Sequence, residues 1–228
     1  MRINLDEEAR VLLRRIVESQ AHREIMAINM LGHCLKFVTE LDTKLRMAED
    51  LDLSLRLFRG VQALYKELGW QDLESAVRDR TAEIPFPESR LEFGLAYTLC
   101  HQAQEVAMES YVDCAVPEFA AIARAYLEAA PHRPRPSRFE EFCEEPGNRP
   151  RGQQLFNKWF AIALQAFGRP DTRGDERAVE LGLRSRGSAA AARAYVERLK
   201  SFAQRWGLRL PSAEALGLEV AMGIGLDP

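Results

Sequence analysis

The residues of this chain that could do chemistry are carboxylates and histidines set inside stretches of helical apolar period. Glu24 stands in the row Leu13, Val17, Gln20, Glu24, Ile28 and Leu31, whose spacing of three and four aligns side chains on one core-facing side of a helix. An unpaired buried carboxylate costs several kcal/mol, which metal coordination or a buried Arg or Lys would offset. A rotated helix would instead leave Glu24 at the rim. Glu49 and Asp52 have the i, i+3 spacing of a ligand pair, and Arg56 and Arg59 continue their stripe as a solvated, ion-paired face would. His101, Glu105 and Glu109 follow at i, i+4, flanked by Gln102 and Gln104 in a strongly apolar stretch, the densest buried-polar candidate in the chain. Glu128 and His132 are four apart with Pro131 between them, and Glu18 and His22 have the spacing of a surface ion pair.

Carboxylates in a helical bundle can hold two iron ions, through one Glu from each of two helices and a Glu-x-x-His from each of the other two. Residues three apart share a helical face, so both members of such a motif reach a central metal pair. No Glu-x-x-His occurs in this sequence, and any di-iron centre would need a departure from that ligand set. Glycine-rich phosphate loops, a G-x-S-x-G elbow and H-E-x-x-H are also absent.

The elements that must position these groups are legible from proline. The first of 11 prolines is Pro85, and five fall between Pro131 and Pro150, so the first 84 residues invite long helices. The reading is all-α: one helical domain over residues 1–212 and a tail over 213–228. Its four core helices are placed at about 5–38, 43–68, 89–114 and 117–130, with accessory helices at about 138–144, 153–167 and 188–206. Asp42 is expected to cap the second helix and Gly69 to end it, with Leu51, Leu55, Phe58, Gln62 and Tyr65 as its buried stripe. The third helix is apolar on two sides, which means burial within the bundle. Pro117 suits the first turn of the fourth, and Gly207 closes the last.

Composition sets outer bounds. The chain has 228 residues, 46% hydrophobic and 29% charged, enough apolar side chains for one sizeable core. With 31 basic and 34 acidic residues it lacks the basic face that nucleic-acid binding needs. No window of about 18 apolar residues is present and MRINLDEEAR carries no apolar leader core, so the expectation is a cytoplasmic protein without a membrane partner. Cys34, Cys100, Cys114 and Cys143 are far apart and read as reduced core residues.

Four segments carry a resemblance. AHREI in the first helix, LRMAEDLDLSLRLFRGVQALYKELG in the second, and FNKWFAIALQAFGRPD with AYVERLKSFAQRWGLRLP near the C-terminus are similar to the ferritin-like phenylacetic acid catabolic proteins, in particular their catalytic di-iron subunit. The resemblance covers most of residues 10–212 and is strongest outside the site. It implies a ferritin-like four-helix bundle and a non-haem di-iron monooxygenase acting on an aromatic acyl-CoA thioester, with two irons per chain and partner helical subunits in an oligomer. Glu24 maps to an early glutamate ligand. Leu53 and Arg56 fall where the second helix should present Glu and His, and Ala129 where the fourth should present Glu, while His132 matches; a gap would bring in Glu49 and Asp52.

The metal candidates are therefore Glu24, Glu49, Asp52, Glu105, Glu109, Glu128 and His132. The alternative is a metal-free, non-catalytic structural or partner subunit in which Arg56 or Arg59 neutralises Glu24. The segment PHRPRPSR offers a further anion site, for coenzyme A phosphates or another small molecule, or is a solvated loop.

Overall fold

The computed structural model describes residues 5–78, 85–129, 137–170, 172–212 and 216. Every regular element among them is helical: α1 (Glu7–Cys34), α2 (Leu41–Glu67), α3 (Leu73–Arg78), α4 (Arg90–Glu109), α5 (Pro117–Ala129), α6 (Ser137–Glu144), α7 (Arg149–Leu164), α8 (Arg173–Glu180) and α9 (Ser188–Arg205). No helix among the described residues is long and apolar enough to cross a membrane.

Local chemistry sets the helix ends. The Asp6 side chain accepts from the backbone N–H of Ala9 at 2.7 Å to start α1, and Ser89 Oγ accepts from Glu92 N–H at 3.2 Å to start α4. Both glycine stops expected from sequence hold. At Gly69 and Gly207 the backbone enters the left-handed region, φ 77° and 64°, where a side chain would be strained. Each is followed by a residue whose N–H reaches back across the helix end, Trp70 to the Tyr65 carbonyl at 3.1 Å and Leu208 to that of Ala203 at 2.9 Å. The expected cap at Asp42 does not hold. Helix α2 begins at Leu41, so Asp42 lies inside its first turn, where a carboxylate suits the positive helix end without capping it.

Helix α1 packs along α2, α2 on α5, α5 on α4, and α4 back on α1, so these four share an interior; α4 also packs against α6, α7 and α9. This explains why α4 is apolar on two sides. The buried face of α2 is Met47, Ser54, Leu57, Val61, Leu64 and Tyr65, so that of the expected stripe Tyr65 is buried, Leu51 and Phe58 are half-buried, and Leu55 and Gln62 are exposed. Leucines at 51, 53, 55 and 57 allow several stripes of helical period, and packing against α1 and α5 selects one. Short helices α3 and α8 were not anticipated, and residues 213–215 and 217–228 of the expected tail lie outside the described residues.

Two apolar clusters form the core. One gathers Trp159, Phe156, Trp206 and Tyr195 from the C-terminal helices around Leu95 and Leu99 of α4 and Met30 of α1. The other joins Leu13 and Val17 of α1 to Val61 and Tyr65 of α2 and Phe119 and Ala123 of α5. Along α1 the sequence passes from the second cluster to the first through Gln20 and Glu24, and along α2 through Ser54, all buried. A polar layer thus lies where the clusters meet.

Candidate functional site

Glu24 is fully buried on α1. Its Oε1 accepts from Gln20 Nε2, one turn earlier, at 2.6 Å and from Gln104 Nε2 on α4 at 2.7 Å. The far end of the Gln20 amide is itself held: Arg23 Nε and Nη2 donate to Gln20 Oε1 at 3.1 and 2.8 Å, while Arg23 Nη1 donates to the Ala166 carbonyl at 3.0 Å. The amide relays the pull of the guanidinium to the carboxylate, because a polarised acceptor makes its own N–H groups better donors. The neutraliser is therefore neither Arg56 nor Arg59, which lie exposed on α2; Arg56 pairs instead with Asp52 at 3.1 Å.

His101 and Tyr126 complete the layer. The Tyr126 hydroxyl lies 2.9 Å from His101 Nδ1, bridging α5 to α4 in the buried interior. Toward the N-terminal end of α1, the Tyr65 hydroxyl donates to Glu18 Oε1 at 2.8 Å, and Arg14 Nε donates to the same oxygen at 2.8 Å. Glu18 is thus buried, not on the surface, and pairs with Arg14.

The structure does not bring together the six metal candidates that lie among the described residues. Glu49 and Asp52 are exposed on α2, and Glu128 is exposed on the last turn of α5. Glu105 accepts from Gln102 Nε2 at 3.0 Å and Arg198 Nη1 at 3.1 Å. Glu109 accepts from Arg186 at 2.8 Å and also binds Arg198. Burial works to raise the Glu109 carboxyl, but the hydrogen bonds and charges of Arg198 and Arg186 outweigh it and hold the group below the usual carboxylate range. His132, like most of PHRPRPSR, lies outside the described residues. No three His, Cys, Asp or Glu converge as metal ligands among the described residues.

The described residues are not grouped as the carboxylate and histidine cluster of a di-iron centre. Such a centre needs several anionic oxygens aimed at one point, whereas Glu24 Oε1 is faced by N–H groups from two amides, which are donors and not ligands.

Beside this layer opens a cavity of about 480 Å³ between α1, α4, the end of α7 and α8. Met26, Met30, Ala163 and Phe167 form buried apolar walls, with Ser54, His101 and Gln104 as buried polar floor, and Arg15 and Arg169 stand exposed at the mouth. Cys100 also lines it; burial pushes that thiol up to about 12, so it is protonated near neutral pH and is not a thiolate nucleophile. No family model matches the chain, and no curated protein matches it.

Of the residues that make this site, Glu24, Gln20, His101 and Gln104 were visible in the sequence as polar members of apolar helices. Ser54, Tyr126 and Arg23 were missed. Arg23 had one signal, its place beside Glu24 and three residues from Gln20; Ser54 and Tyr126 had none short of knowing how the helices pair.

Proposed function

We propose that this chain is a metal-free, non-catalytic protein of ferritin-like type, acting as a binding or partner subunit rather than as a di-iron oxygenase. The observation that carries the reading is the solvation of Glu24 by the Gln20 and Gln104 amides, with Arg23 behind Gln20. One oxygen of this carboxylate, Oε1, is held by two protein donors, and this local solvation lessens the electrostatic demand for a cation. The closed ring of contacts through α1, α2, α5 and α4 supports the ferritin-like part of the proposal. Segment likeness to the phenylacetic acid catabolic proteins supports it from the sequence side, and a partner helical subunit is the interaction that likeness favours.

The enzyme reading, a monooxygenase acting on an acyl-CoA thioester, draws on Glu24 alone, since the other metal candidates among the described residues lie at the surface or in arginine pairs. The test is iron analysis of protein purified after growth in iron-supplemented medium. The expected result is folded protein with iron far below one per chain. About two irons per chain, with a near-ultraviolet absorption that Glu24→Ala removes, would overturn the proposal in favour of the oxygenase.

A further inference from the structure

We infer that the cavity beside the Glu24 layer is a binding site for an amphiphilic organic anion, a carboxylate carried on an apolar body about the size of a medium-chain fatty acid. Its volume of about 480 Å³ falls within the range, roughly 300–1,000 Å³, of sites that enclose small organic molecules. Its walls include Ile16, Met26, Met30, Ile162 and Phe167, and the two thioethers let the space adjust to a flexible chain. The buried apolar surface would take the body of the ligand.

Charge decides the head group. Arg15, Arg23 and Arg169 line the cavity, and none makes an ion pair with a carboxylate among the described residues. Arg23 is fixed by its bonds to Gln20 and Ala166, while Arg15 on α1 and Arg169 in the turn before α8 are exposed members of the lining. Among the described residues the one carboxylate in the lining, Asp175, is already bound to Arg184 and accepts from the Ser188 hydroxyl at 2.8 Å. Among the described residues, Arg15 and Arg169 are therefore not compensated by a carboxylate of the lining, and guanidinium groups favour a planar carboxylate that can take two N–H donors at once. At the floor, Gln104 already donates to Glu24 and His101 is bonded to Tyr126, so selectivity falls on the mouth. The site lies beside the Glu24 centre, and the inference stands whether or not that centre holds metal.

The test is calorimetric titration of the full chain with decanoate, decylammonium, 1-decanol and acetate, with iron content measured on the same samples. Decanoate is expected to bind one per chain, decylammonium and 1-decanol at least about tenfold more weakly, and acetate not measurably. The double variant R15Q/R169Q, at exposed positions that leave the core untouched, should weaken decanoate about tenfold and leave 1-decanol unchanged. Ala27→Trp, which fills the cavity from α1, should remove binding of both while the far-ultraviolet circular dichroism is retained. Equal affinity for the three ten-carbon probes, or decanoate binding unchanged in R15Q/R169Q, would overturn the inference.

Discussion

At the scale of single residues, the account turns on what Glu24→Ala and Glu24→Gln should each do. Alanine removes the acceptor for two buried amides and leaves a small void, so a loss of about 2–4 kcal/mol in urea unfolding is expected. Glutamine can offer its carbonyl oxygen where Glu24 Oε1 stands, keeping an acceptor for Gln20 and Gln104 while removing a buried charge. Its expected cost is under about 1 kcal/mol, and equal losses for the two variants would argue that charge, rather than acceptor geometry, organises the layer. Glu24 itself was legible in the sequence, since its row of threes and fours does face the interior. What lay beyond the sequence was the identity of its partners. Gln104 is 80 positions away and meets Glu24 only because α4 lies against α1. Arg23 acts through Gln20 rather than on the carboxylate, a relay that spacing alone does not reveal.

At the scale of elements, two glycine stops were legible in the sequence and the rotation of α2 was not. Gly69 and Gly207 mark real stops because only a residue without a side chain enters the left-handed region cheaply. The α2 stripe was misplaced because leucines surround that helix, and the side that becomes buried is chosen by α1 and α5. Close approach gives a further test, at α6 and α7. A Cβ at Gly152 would stand 2.9 Å from the Cys143 sulfur, inside van der Waals contact, and that sulfur is buried with little room to retreat. Gly152→Ala should therefore destabilise the protein by about 1–3 kcal/mol, measured by urea unfolding, despite alanine's better helix propensity. A stabilised variant would mean that α6 can shift away from α7 without loss.

At the scale of the whole molecule, two apolar clusters meet at a polar layer, and α1 and α4 run through both. The overall class was legible from the proline-free start and the absence of alternating strands, because both depend on local sequence. The fate of the site was not, because it depends on which of many acidic residues the packing buries. It buries Glu24 and leaves Glu49, Asp52 and Glu128 outside. Any ion held by the folded chain and not by the unfolded one would stabilise the whole fold, by an amount that grows with the logarithm of its concentration over its dissociation constant. The most direct test of the central claim is thus the thermal midpoint of the wild-type chain, measured anaerobically with and without excess ferrous iron. The account predicts no shift, in the wild type and in Glu24→Gln alike. A rise of several degrees in the wild type that Glu24→Ala abolishes would contradict it.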